Sequence, residues 1–261
     1  MSIILKSCNI LAIVQARCSS SRLPGKVLLP ILGKPMILHE LERLQRSQYI
    51  DKIVLATSTD STDDPLAKIV ETVTDVYRGS LDDVLERYYQ CAKLYNPDHV
   101  VRITGDCPLI DWQIIDEAIQ KHLKEGNDYT SLSERFPDGL DTEVFRFTAL
   151  EKSWQEATLH SEREHVTQYM RKNPGIFKIG VLDCAEDFSA MRWTVDETQD
   201  FEFVQRVFEK LYSQNPNFAM QEILQLLNNQ PELKYINAGI ERNEGLKKSL
   251  QEDEIWKQMP N

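Results

Sequence analysis

The 261-residue chain is sparing with cysteine: it has five, at positions 8, 18, 91, 107 and 184, and no two stand as a C-x-x-C pair. An odd, scattered set supports neither a disulfide framework nor a structural zinc site, and it fits a reducing compartment. Long apolar runs are also missing, and none approaches the ~20 residues that span a bilayer. The opening "MSIILKSCNILAIVQAR" is apolar but is interrupted by Lys6 and Asn9 and lacks a small-residue cleavage pattern. It therefore reads as a first core strand, not a signal peptide. Basic excess is absent: 30 Lys and Arg against 41 Asp and Glu leave a net charge of -11. That balance argues against a nucleic-acid or anionic-membrane binder, while allowing a local basic pocket for one anionic ligand. There is no internal repeat, no low-complexity run and no GxxxxGK[ST] phosphate loop. The composition left is that of a cytoplasmic globular protein, long enough for one large α/β domain or one domain with a small subdomain.

The order of elements supports an α/β fold with a mostly parallel sheet covered on both faces. "ILAIVQA" (10–16) reads as a central strand and "PMILHELERLQRS" (35–47) as a helix, with apolar residues at Met36, Ile37, Leu41 and Leu44. Strand "DKIVLATSTD" (51–60) is followed by helices over 65–73 and 80–95, then by strand "DHVVRITGDCPLID" (98–111) running into a turn. A helix over 112–126 closes at Gly126. After about residue 130 the rhythm changes. Turn chemistry at Pro137-Asp138-Gly139, a strand "TEVFRF", a helix over 161–175 and a strand over 177–183 suggest an inserted arm, 133–182. "MRWTVD" (191–196) is expected to return to the main sheet as a strand. The main domain is then 1–132 plus 183–261, with a helix over 198–212 and a tail from 213 that says little about function.

In open α/β sheets, ligands sit beyond the carboxyl ends of the strands, and three polar segments lie there. "ARCSSSRLPGK" (16–26) follows the first strand with two arginines, a lysine, three serines and a Pro-Gly. Backbone N–H groups and serine hydroxyls donate to phosphate oxygens, while Arg17, Arg22 and Lys26 neutralise charge. A solubilising surface loop fits equally well. "RITGDCPLID" places Asp106 after a strand and a glycine, either as a turn residue or as a Mg²⁺ ligand, because Mg²⁺ usually takes one or two carboxylates plus phosphate oxygens. Asp196 in "MRWTVDETQD" also ends a strand, with Gln199 placed for a capping box. Two carboxylates and a cationic loop at strand ends suggest metal-assisted phosphoryl-group chemistry.

These segments resemble the CMP-sugar synthetases. Ala16, Arg17, Ser20, Arg22, Leu23, Pro24, Gly25, Lys26 and Leu28 match the A-R-x-x-S-x-R-L-P-G-K-x-L loop of the octulosonate branch. "GDCPLI" is similar to that family's G-D-x-P-L-I, and "TVDETQDFE" to its V-D-T-x-x-D segment. "GSLDDVLERYY", "DGLDTEVF" and "SEREHVTQYM" resemble the SpsF-like cytidylyltransferases of spore-coat polysaccharide synthesis.

The resemblance implies a three-layer α/β/α nucleotidyltransferase with a protruding dimerisation arm, a homodimer, and Mg²⁺ as cofactor. It implies Arg17, Lys26, Asp106 and Asp196 as catalytic, with both aspartates on the metal. Ala16, Ser20, Thr57, Ser58, Arg78, Gly79, Ser80, Asp82 and Gly105 would join Arg17 and Lys26 in holding CTP. Arg22, Arg102, Asp141, Glu143 and His165 would face an acidic sugar. For Ser80 and Asp83 helix capping is the stronger role. An ion-paired structural Arg102, a core or helix-surface His165, and Cys18 and Cys107 as small buried filler are equally bland alternatives. The octulosonate enzymes carry V-Q-G-D-E-P where this chain has Ile103-Thr104-Gly105-Asp106-Cys107-Pro108, a departure on the sugar side and not the nucleotide side. The implied reaction is attack of a sugar hydroxyl on the α-phosphorus of CTP, with release of pyrophosphate. Two rivals are a glycosyltransferase, which typically carries the D-x-D motif absent here, and a catalytically silent nucleotide-binding protein.

Overall fold

Ile10, Ala12 and Val14 of β1 (Ile10–Gln15) enter one hydrophobic core while Leu11 and Ile13 enter another, all five at most 2% exposed. Two-residue alternation with both faces buried is the pattern of a central strand. The computed structural model describes residues 8–242 and 244–258, the side chains of 256–258 excepted. The expected start of the first strand, before residue 8, lies outside them.

β1 is followed by a two-stranded ribbon, β2 (Pro30–Ile31) and β3 (Lys34–Pro35), then α1 (Met36–Leu44), β4 (Lys52–Ser58), α2 (Asp64–Val70), β5 (Asp75–Gly79), α3 (Val84–Tyr95), β6 (His99–Thr104) and α4 (Trp112–Glu125). The chain continues through β7 (Tyr129–Leu132), β8 (Glu143–Arg146), α5 (Phe147–Glu156), α6 (His160–Glu164), α7 (Gln168–Lys172), β9 (Ile179–Leu182), α8 (Thr198–Leu211), α9 (Met220–Asn229) and α10 (Glu244–Gln258). The main sheet runs β5-β4-β1-β6-β8-β7-β9. β4, β1 and β6 are parallel neighbours in register Ile13↔Val54 and Ile13↔Arg102, and β8 is antiparallel to both β6 and β7. Helices α1, α2, α4, α8 and α9 cover one face; α3, α5 and α7 cover the other. The expected three-layer α/β/α nucleotidyltransferase architecture is therefore present. Among the described residues no helix is long and apolar enough to cross a membrane.

Three expectations need correction. The stretch 133–182 is no protruding arm, because β8 and β9 are strands of the main sheet and α5 packs on α3, stacking Trp154 on Tyr89 at 4.1 Å. Val144, Phe145, Leu150, Val166 and Met170 of this stretch are all fully buried. At about 1.5–3 kcal/mol per buried large apolar side chain they are core, not appendage. The change of rhythm marks the passage from parallel to antiparallel pairing. Second, the helix expected over 161–175 is broken into α6 and α7. Val166 takes a left-handed φ of 51°, while His165 bonds Ser249 and Thr167 donates to Glu143; these tertiary bonds prevail over local helical pattern. Third, "MRWTVD" contributes one isolated bridge, Arg192 to Asp138, and no strand. Strands β5 and β7, given no assignment from the sequence, also join the sheet.

Candidate active site

The chain leaves β1 for β4 and β5 on one side and returns to β6 on the other. The crevice beyond the carboxyl ends of β1 and β6 is therefore the topological switch point, where such sheets bind ligands. A cavity of about 870 Å³ opens there, lined by the loop 15–27, by Thr104, Gly105, Asp106 and Asp196, and by residues of α6 and α10.

The cationic loop folds around one carbonyl. Ser20 N and Gly25 N both donate to Cys18 O, and Cys18 N donates to the buried Asp63 at 2.6 Å. Asp63 also accepts from the hydroxyl of Ser58, which ties the loop to the end of β4. Gly25 stands at φ 69°, the left-handed region that glycine tolerates, and turns the chain so that Lys26 heads inward. Lys26 is 7% exposed, and its ammonium donates to Asp106 Oδ2 at 3.0 Å, Asp196 Oδ1 at 2.8 Å and Val195 O at 2.7 Å. Burial disfavours its charge, but the two carboxylates outweigh this and raise its pKa. Burial likewise opposes charge on Asp106, yet Lys26 and hydrogen bonds from Thr104 and Cys107 bring its pKa down to about 2.

Gly105 brings Asp106 close to β1. Its N–H donates to Gln15 O at 2.7 Å, and a Cβ there would lie 2.6 Å from Ala16 Cβ. Asp196 arrives from the far side because Val195 N donates to Asp106 O at 2.8 Å. Asp196 is not the helix cap; Glu197 is, and Asp200 accepts from the N–H groups of both residues. The Asp196 carboxylate is thereby left to Lys26, Arg22 (3.0 Å) and Arg192 (2.9 Å). Arg192, buried among Asp138, Asp196 and Asp200, fixes this segment. It was not singled out in the sequence, although its four-residue spacing to Asp196 was visible. Asp63 and α10 were overlooked as well.

The structure thus brings Ala16, Arg17, Ser20, Arg22, Lys26, Gly105, Asp106 and Asp196 to one cavity. The remaining expected residues do not line it. Thr57 and Ser58 are buried at the end of β4. Arg78 braces the loop after β4, donating to Ser58 O, Asp60 O and Asp64. Gly79 packs against Tyr77 and Arg87, and Asp82 is exposed. Asp83, not Ser80, is the N-cap of α3; Ser80 accepts from Asp83 N. Arg102 and Glu143 pair with each other at 2.6 Å in the sheet interior, joined by Tyr129 and Thr167, so the structural role prevails for both. Asp141 is exposed and holds Arg242. His165 bonds Ser249, and burial lowers its pKa. Cys18 is pushed up to about 11 by burial and Asp63, and Cys107 well above its usual range by burial and Asp106, so neither thiol is primed as a nucleophile.

One ammonium holding Asp106 and Asp196 brings their oxygens to a common point. Two carboxylates completed by phosphate oxygens are a donor set suited to Mg²⁺. Among the described residues no group of three His, Cys, Asp or Glu could hold an ion alone.

A family profile described as cytidylyltransferase matches residues 11–246. The spore coat polysaccharide biosynthesis protein SpsF of Bacillus subtilis (strain 168) is 34% identical over 232 residues, covering 86% of this chain and 96% of that protein. The 3-deoxy-manno-octulosonate cytidylyltransferase of Pelobacter propionicus is 34% identical over 117 residues, covering 45% of this chain and 46% of that protein. A solved cytidylyltransferase structure from Leptospira borgpetersenii serovar Hardjo-bovis superposes with a TM-score of 0.84 at 31% identity, over 90% of this chain and 100% of that one.

Proposed function

The chain belongs to the cytidylyltransferase family, and we propose that this CTP-dependent nucleotidyltransferase transfers CMP from CTP to an acidic sugar for surface polysaccharide or glycan synthesis. The carrying observation is Lys26, held between Asp106 and Asp196 at the mouth of β1 and β6. The sugar hydroxyl attacks the α-phosphorus, the bond from that phosphorus to the β-phosphate bridging oxygen breaks, pyrophosphate leaves, and the hydroxyl proton passes to solvent. Lys26 and Arg17 hold the phosphates in line, and the loop N–H groups and serines fix their orientation. Asp106 and Asp196 would hold Mg²⁺, which supplies charge neutralisation on the transferring phosphoryl group. The ion pairs to Asp106 and Asp196 hold the Lys26 charge in place before the phosphates arrive, which spares the site reorganisation. The acidic acceptor is supported by the likeness to an octulosonate cytidylyltransferase over 45% of this chain and by Arg22 beside Asp196.

The test is incubation with CTP, Mg²⁺ and a panel of acidic sugars, following pyrophosphate and product mass. Pyrophosphate with a CMP-sugar product is expected, and Asp106→Asn should remove it. In a parallel incubation with nucleotide sugars, release of a nucleoside mono- or diphosphate with glycosyl transfer would identify a glycosyltransferase, and CTP binding without any product in either incubation a silent binder.

A further inference from the structure

The cavity has two chemically different halves. On the loop side stand Arg17, Arg22, Lys26 and the serines; opposite, α6 and α10 contribute His160, Glu164, Lys247, Lys248, Gln251 and Glu252. The wall's carboxylates, Glu164 and Glu252, stand beside its lysines, Lys248 reaching Glu252 at 3.9 Å, so its charges are mixed. The loop side instead offers cations together with backbone N–H groups and serine hydroxyls for phosphate. The same carboxylates and the Gln251 amide accept from hydroxyl groups, while Lys248, the amide N–H and an imidazole donate to oxygen. A wall of mixed donors and acceptors suits a polyhydroxylated molecule. Arg22 stands on the boundary, its three nitrogens reaching Asp196 at 3.0 Å, Glu197 at 3.6 Å and Glu244, the first residue of α10, at 2.8 Å. Glu244 is the most exposed of the three, so an arriving carboxylate takes its place on the planar guanidinium fork.

This wall is built into the fold. Ser249, 3% exposed, bonds His165 and Glu164, and Asp253, 2% exposed, accepts from Ser161 N at 3.1 Å. These bonds fix α10 against α6. The segment matched by the family profile ends at residue 246, and Lys248, Gln251 and Glu252 lie beyond it.

We propose that the α6–α10 face is the acceptor subsite: it binds the hydroxyl groups of an acidic sugar whose carboxylate is held by Arg22, and thereby sets which sugar is used. The proposal rests on the cytidylyltransferase reading and deepens it. It is tested by saturation-transfer NMR on the full chain with CTP and Mg²⁺. The probes are 3-deoxy-manno-octulosonate, N-acetylneuraminate and glucuronate, with glucose as uncharged control. At least one acid should bind and glucose should not. The double variant Lys248→Ala/Gln251→Ala should weaken that binding about tenfold or more, as expected for two lost hydrogen bonds, with CTP affinity unchanged within twofold. Absence of binding by any acid, or retention of affinity in the double variant, overturns the subsite. Failure of the wild type to bind CTP instead sinks the cytidylyltransferase reading and the subsite with it.

Discussion

Replacing Lys26 with methionine keeps the stem and removes the charge, and the structure sets the cost. Asp106 has a pKa of about 2 in the folded chain against an ordinary 3.8. At 1.36 kcal/mol per pKa unit, that difference corresponds to about 2.5 kcal/mol of stability near neutral pH. Because the folded value is depressed, the contribution is complete above 3.8 and fades as pH falls toward 2. Lys26 is the cation responsible: it is 7% exposed and pairs Asp106 at 3.0 Å. Asp196 is less dependent on it, since Arg22 and Arg192 remain as partners. Lys26→Met should therefore lower unfolding free energy by about 2–3 kcal/mol at pH 7, toward the low end of the range for breaking a buried pair. The loss should shrink at pH 3, where an unpaired Asp106 takes up a proton. Lys26→Met/Asp106→Asn should recover most of it, because two neutral groups replace one stranded charge. Urea unfolding of the four proteins at pH 7 and pH 3 measures this. A loss below 0.5 kcal/mol at pH 7, or one of equal size at both pH values, would refute the electrostatic account. Neither variant should release pyrophosphate, so stability and catalysis separate cleanly in the double variant.

Gly105→Ala should cost about 1–3 kcal/mol by overpacking, because the new methyl meets Ala16 Cβ at 2.6 Å and Ile37 at 3.0 Å. It should also lower turnover by displacing Asp106; Ala16→Gly in the same chain should restore part of both, and no restoration in parallel urea and pyrophosphate assays would count against the close-approach reading. His122, fully buried and bonded to His99 and Thr130, is brought down to about 3 by burial, His99 and Arg146. Below pH 6.5 the unfolded chain binds a proton that the folded chain refuses, so stability should fall on acidification by up to about 1.4 kcal/mol per pH unit. Urea titrations between pH 7.5 and pH 5 check the slope, and an unchanged slope in His122→Gln would reject this assignment.

The local sequence determined β1, β4 and β6, because unbroken apolar runs suit strands buried on both faces, as Ile10–Val14 are. It also determined α1 and α4, whose apolar spacing and Gly126 stop are properties of neighbouring residues. The cationic loop and Asp106 were legible for the same reason: each follows a strand end within a few residues. Only tertiary structure decided the rest. Whether 143–146 joins the sheet depends on pairing with β6 some 40 positions earlier, and whether 165–167 stays helical depends on Ser249 and Glu143. Arg102 and Glu143 looked like substrate contacts until their mutual ion pair was placed in the sheet interior. The tail carried no motif, yet α10 walls the cavity, because a helix packs by its face against whatever the fold presents. The three lining segments 16–26, 105–106 and 196 are far apart in the chain. Their meeting at Lys26 follows from strand order, which puts β1 beside β6, and from Val195 N bonding Asp106 O.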